Sequence, residues 1–189
     1  MRSMHRYALG RAQVEFVVGD ITDAETVAVA NAANSLLMGG GGVDGAIHRA
    51  AGAELLEALR EIKRTLPGGV LETGRAVLTP GFGLNARWVI HCVGPIYERE
   101  GERAADLLSG CYRSALALCR ESDIESIAFP SISTGVYGYP VAEAAPVALE
   151  AVRRSLSEAG PTLCQFVLFD EPTLQAYLEA AEKTLKNHN

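Results

Sequence analysis

The residues best placed by type and spacing to do chemistry are Asn34 and Asp44, which bracket Gly39-Gly40-Gly41-Gly42 in the segment from Asn31 to His48. Four consecutive glycines strip a loop of side chains, let its N–H groups turn the same way, and let a large anion approach the main chain. Val43-Asp44-Gly45-Ala46-Ile47-His48 follows as the start of a helix, whose unpaired N–H groups favour that anion further. The expected ligand is phosphorylated, and a diphosphate suits the loop. Glycine runs also serve as flexible linkers. A small apolar strand on one side and an Ala-rich helix on the other fit a built loop better.

A second loop, Phe129 to Pro140, leaves one strand and enters a helix. Ser133 and Thr134 supply hydroxyls, Gly135 and Val136 backbone, and Tyr137 a flat face against which a sugar could rest. Two anion-competent loops in one small chain could clamp a diphosphate from both sides, which points to a dinucleotide-like ligand. In Gly19-Asp20-Ile21-Thr22-Asp23-Ala24-Glu25, Thr22 and Glu25 have capping-box spacing. Asp20 is left over, either to accept an adenine amine beside the Ile21 amide or to close an Asx turn. His48, one helical turn after Asp44, and His91, inside an apolar strand, read as core imidazoles rather than acid–base groups.

Those loops need a scaffold. Apolar, β-branched runs at Val14–Val18, Val27–Ala30, Ala76–Leu78, Trp88–Val93, Ser126–Phe129 and Cys164–Phe169 predict strands covered on both faces. Helical patterns lie at Val43–Ala51, Ala53–Arg64, Glu102–Glu121, Val141–Glu158 and Thr173–Leu185, with Pro146 expected to kink or restart the fourth. Strands alternating with helices predict an α/β fold, a three-layer sandwich with its ligand at the carboxyl ends of the strands.

The 189 residues suit one domain. Residues 1–12 lack the apolar stretch of a secretory signal and are expected as an N-terminal extension, with a single domain over 13–187. A net charge of −6 with scattered basic residues argues against a broad nucleic-acid footprint. Cys92, Cys111, Cys119 and Cys164 have no CxxC spacing and read as buried thiols in a reducing cytoplasm, with neither zinc nor disulfides. No Ser-His-Asp order, metal-ligand cluster, Walker loop or G-x-G-x-x-G setting is present, and no membrane span.

Gly19-Asp20-Ile21, Asn31-Ala32-Ala33-Asn34, Gly39 to His48, His91-Cys92-Val93-Gly94-Pro95 and Ile132 to Pro140 together resemble the macrodomain family, in its MacroD-type branch of ADP-ribose hydrolases. The resemblance runs from about Val14 to the C-terminal helix. It implies a central mixed sheet between helices, and ADP-ribose, O-acetyl-ADP-ribose and mono-ADP-ribosylated proteins as ligands, with no cofactor or metal. Asp20 and Ile21 would then bind adenine, with Phe169 stacked on the base. Gly41, Gly42 and Val43 with Ser133, Thr134, Gly135, Val136 and Tyr137 would hold the diphosphate. Asn34 and Asp44 would face the distal ribose as the catalytic pair, Asp44 or a substrate phosphate activating water for cleavage of an ADP-ribosyl ester. The departures from the family pattern, Cys92 where threonine is common and the Leu36-Leu37-Met38 spacer, remove no matched residue. A metal-independent hydrolase of ADP-ribosylated acidic side chains and O-acetyl-ADP-ribose is the first expectation, acting as a monomer. A non-catalytic ADP-ribose reader and an ADP-ribose 1″-phosphate phosphatase would use the same pocket.

Overall fold

Six of the strands follow from the apolar runs: β2 (Ala12–Val18), β3 (Ala28–Ala33), β4 (Ala76–Pro80), β5 (Trp88–Val93), β6 (Ser126–Phe129) and β7 (Leu163–Leu168). The computed structural model describes residues 4–158 and 160–186, side chains 157 and 158 excepted; residues 1–3 of the expected extension and residue 187, the expected domain end, lie outside the described residues. Within that extension, His5–Leu9 form a further strand, β1, paired antiparallel to β2. Its short polar alternation gives no apolar run to detect, because one face is open to solvent. The strand nevertheless places Arg6 2.7 Å from the buried Glu15 carboxylate, which also accepts from Gln165.

The sheet runs β1-β2-β7-β6-β3-β5-β4. The five inner strands are parallel, while β1 and β4 close the edges antiparallel, so the sheet is mixed as expected. Helices α1 (Gly42–Ala51) and α2 (Ala53–Thr65) cover one face; after the short α3 (Tyr97–Glu100), α4 (Ala104–Glu121), α5 (Val141–Glu158) and α6 (Glu171–Thr184) cover the other. Side-chain alternation decides which layer each strand residue enters. Ala28, Ala30, Ile90 and Cys92 pack toward α4–α6, whereas Val29, Ala33, Val89 and Val93 pack toward Ile47, Leu55 and Leu59 of α1 and α2. Each of those last three side chains is fully buried, and truncating one to alanine costs about 2–5 kcal/mol.

Two local expectations change. The helix α5 runs on through Pro146, which is exposed, so the carbonyl four residues earlier, at exposed Ala142, can be satisfied by water. The Thr22–Glu25 capping box does not form: the 3-10 turn Ile21–Asp23 is capped by Asp20, whose Oδ1 accepts from the Thr22 N–H at 2.9 Å and its hydroxyl at 2.7 Å. A three-residue turn leaves Glu25 beyond its end. The four cysteines are buried free thiols, and no helix among the described residues is long and apolar enough to cross a membrane.

Candidate active site

The same alternation that fills the α1 layer also sends three polar side chains into it. Asn31 and His91 are register partners on β3 and β5, both fully buried, and Thr79 lies two residues along on β4 from His91's own partner, Val77. The Asn31 amide donates to Asp44 Oδ1 at 2.7 Å and lies 3.0 Å from His91 Nδ1; His91 Nε2 lies 2.9 Å from Thr79 Oγ1. Burial pulls the His91 pKa down to about 3, with the nearby His48 adding to the shift, so the ring is neutral. An amide N–H facing Nδ1 places the ring proton on Nε2, where it donates to Thr79. The buried chain Thr79–His91–Asn31–Asp44 is thereby fixed in direction.

Asp44 sits in the first turn of α1, a helix whose N-cap, Gly41, brings no side chain to its free N–H groups. The residue is only 5 % exposed. Burial raises its pKa, while the Asn31 hydrogen bond and the neighbouring His48 pull it back down. His48 Nε2 lies 3.4 Å from Asp44 Oδ1 without a hydrogen bond. Asn34 anchors the loop at both ends of its side chain: it donates to the Gly39 carbonyl at 2.8 Å and accepts from the Leu36 N–H at 3.1 Å. A Cβ on Gly40 would lie 3.3 Å from Asp44 Oδ2 and 3.7 Å from Asn34 Nδ2, so the missing side chain leaves the space that these two residues share. Gly45 lets α1 press onto the loop, since a Cβ there would come 2.4 Å from the Gly40 carbonyl oxygen.

The facing loop is held as firmly. Ser133 takes a left-handed backbone (φ +67°), a conformation that non-glycine residues adopt at a cost. Its carbonyl accepts from the Tyr139 N–H, the Thr134 hydroxyl donates to the Ser131 carbonyl, and the Tyr137 carbonyl accepts from the Tyr97 N–H. A Cβ on Gly94, just past β5, would fall 2.1 Å from Ser133 Oγ, so β5 and this loop meet only because that position is glycine. Gly135 and Val136 are exposed, and Tyr137 is half-buried, its hydroxyl pKa raised by burial and by the Asp44 carboxylate. Tyr137 thus lies within electrostatic reach of Asp44.

The parallel strands also bring the remaining expected residues to the same edge. The Gly19 N–H donates to the Leu168 carbonyl, which sets Asp20 beside Phe169. Phe169 is 89 % exposed, Ile21 is buried, and Val43 packs partly into the α1 layer. Phe169 stands one residue past the end of β7 rather than inside it.

Among the described residues, three buried polar side-chain atoms have no hydrogen-bond partner: Asn31 Oδ1, His48 Nε2 and Ser133 Oγ. One sits on each of β3, α1 and the loop after β6, and orphaned buried polar atoms call for a ligand or water. Of the three, only Ser133 was among the expected contacts. Asn31 opens one of the quoted motifs but carries no site role in the sequence reading, where it stands just past the expected strand Val27–Ala30; its signal is its place, by strand alternation, with Val29 and Ala33 on the α1 face. His91 is the satisfied core imidazole expected, and His48 lies beside the carboxylate rather than in an apolar layer.

The Macro domain family model matches residues 30–148. An O-acetyl-ADP-ribose deacetylase of Salmonella gallinarum is 48 % identical over 167 residues, covering 88 % of this chain and 92 % of that protein. A solved macrodomain of Oceanobacillus iheyensis with ADP superposes with a TM-score of 0.95 at 44 % identity, over 99 % of each chain. A Trypanosoma brucei macrodomain in complex with ADP-ribose superposes with a TM-score of 0.77 at 42 % identity, over 89 % of this chain and 68 % of that one.

Proposed function

This chain belongs to the macrodomain family, and we propose that it binds ADP-ribose and hydrolyses esters of its distal ribose, both in O-acetyl-ADP-ribose and on mono-ADP-ribosylated acidic side chains. The observation that carries the hydrolytic reading is Asp44: a nearly buried carboxylate already oriented by Asn31, facing the space left by Gly40 at the N-terminus of α1. The identity with a protein named for ester cleavage supports the same reading.

In this reading Asp20 and Phe169 take the adenine, and Gly41, Gly42 and Val43 with Ser133 to Tyr137 close on the diphosphate. Ser133 Oγ is the unpartnered donor for a phosphate oxygen. The distal ribose then lies against Asn34 and Asp44. A water adds to the ester carbonyl as Asp44 takes its proton; the bond from the acyl carbon to the ribose oxygen breaks, and that oxygen takes up a proton. The products are ADP-ribose and a carboxylic acid, with no metal required by the balance. Asp44 serves as base only when ionised, so turnover rises with pH through its raised pKa.

The test is release of ADP-ribose, in the presence of a chelator, from O-acetyl-ADP-ribose and from a protein ADP-ribosylated on glutamate. Wild type is expected to turn over both, and Asp44→Ala to lose about 100-fold or more in turnover while retaining most of its ADP-ribose affinity. Equal turnover by the variant removes Asp44 from the chemistry. ADP-ribose binding by wild type with no release from either substrate makes the protein a reader. Reaction in 18O-water locates the bond broken, since carbonyl attack labels the acid and attack at the anomeric carbon labels ADP-ribose.

A further inference from the structure

The site has a way out. A cavity of about 290 Å³ begins at Tyr137 and Gly94, beside the expected ribose position, and is walled by Leu71, Val93 and the half-exposed Val70 and Ile96. Glu72 and Thr73 line it and also line a larger groove, about 620 Å³, between the turn at residues 72–75 and the outer face of α4. The two depressions therefore adjoin at Glu72 and Thr73, a track from the Tyr137 end of the site toward the outer face of α4.

The groove is built rather than incidental. Gly74 adopts φ +84°, and a Cβ on Gly110 would lie 3.0 Å from the Gly74 carbonyl oxygen, so turn and helix touch glycine to glycine. The turn is pinned by the Gly74 N–H to the Val93 carbonyl at 2.8 Å and by the Ser114 hydroxyl to the Gly74 carbonyl at 2.9 Å. Arg75, Arg113 and Arg120 line it, and Arg99 lines the smaller cavity. Among the described residues none of these four arginines makes an ion pair, whereas Arg6, Arg64, Arg103, Arg153 and Arg154 each hold a carboxylate. Of the acidic residues along the track, Glu100 is engaged by Arg103, leaving Glu72 and Asp106 against the four guanidinium groups. This is a net positive path on a chain of net charge −6. Arg113 and Arg120 are seven residues apart on one helix face, about 10 Å, which three residues of an extended peptide span.

We propose that this track is the docking surface for the polypeptide that carries the ADP-ribose, and that it selects acidic residues flanking the modified side chain. The inference rests on the ADP-ribose reading above, and it concerns what lies beyond the scissile bond. Apolar walls next to the site receive the residues adjoining the modified one; the arginines farther along meet the acidic flank. Guanidinium groups held free of partners are the natural readers of carboxylates.

The test uses peptides bearing ADP-ribose through a stable, uncleavable linkage, one with an acidic flank and one neutral, beside free ADP-ribose. Wild type is expected to bind the acidic conjugate about tenfold more tightly than the neutral one at low salt, with the advantage vanishing near 0.5 M salt. Arg75→Glu/Arg113→Glu, both at exposed positions, should abolish the advantage and leave free ADP-ribose affinity and O-acetyl-ADP-ribose turnover unchanged; Arg75→Ser/Arg113→Ser should reduce it partway. Equal affinity of wild type for the two conjugates, or an advantage that survives the double reversal, overturns the proposal. So does preferential capture of a single-stranded RNA of equal charge at the same arginines. Failure of wild type to bind free ADP-ribose is a separate outcome, which defeats the underlying reading as well.

Discussion

The two ends of the cleft are built on different principles. Around Asp44 the polar side chains are buried and already wired to one another, through Asn31 to His91 and Thr79. Around Asp20 and Phe169 they stand at the surface, with local contacts such as the one that ties Asp20 to its own turn. A group that must act on a reacting bond gains from being held before the substrate arrives, because reorganisation is then not part of the barrier. A group that recognises a base needs only to be accessible and correctly spaced. Substitutions at the buried end should therefore change rate, and substitutions at the exposed end affinity.

Next to the loss expected of Asp44→Ala, the largest effect that tests this contrast lies behind Asn31, at His91 and Thr79. His91→Phe removes the acceptor that orients the Asn31 amide, and Thr79→Val removes the acceptor that holds the His91 proton on Nε2. We expect turnover to fall about 10- to 100-fold in the first and by a smaller factor in the second, with ADP-ribose affinity within about twofold of wild type in both. Imidazole 15N shifts should show the Nε2-protonated tautomer in wild type. Loss of affinity in step with rate would mean that the buried chain merely supports the fold.

At the exposed end the effect is smaller and of the other kind. Asp20→Ala should weaken ADP-ribose binding by about 1–3 kcal/mol while leaving turnover at saturation unchanged. Because Asp20 also caps the Ile21–Asp23 turn, Asp20→Asn sharpens the reading: its amide oxygen still accepts from Thr22, so an affinity loss in that variant comes from the ligand and not from the turn. A fall in saturated turnover in either variant would break the division between the two ends.

The same contrast explains what could be read from the sequence. The strands β2–β7 and the two loops were legible because each is a local pattern: an apolar run, a glycine run, or Ser133-Thr134-Gly135 after a strand. β1 was not, because an edge strand with an open face has too little apolar content. Nor was the role of Asn31, which depends on His91 lying opposite it on β5, sixty residues later in the chain. Asp20 showed both of its possible signals in the sequence, and the structure fills the Asx-turn one through Oδ1. The glycines at 45 and 94 matter through what they touch, the Gly40 carbonyl and the Ser133 hydroxyl, and no spacing rule carries that information.

The smallest expected effect concerns stability, and it has a definite sign. Burial raises the Asp44 pKa above its ordinary value, the Asn31 bond and His48 offsetting only part of this. The folded chain thus holds that proton more tightly than the unfolded chain does. Below the ordinary carboxylate range both states are protonated and Asp44 carries no penalty; as pH rises through the raised folded value, the native state loses stability. Asp44→Asn removes the charge and keeps an oxygen to accept from Asn31. Its melting temperature should exceed that of wild type by about 2–4 °C at neutral pH, with the difference shrinking as pH falls toward the ordinary carboxylate range. Exposed Asp20→Asn should shift melting by no more than about 1–2 °C at any pH. A melting gain at Asp44 that persists undiminished in acid would show that packing, and not the buried charge, separates the two ends of the cleft.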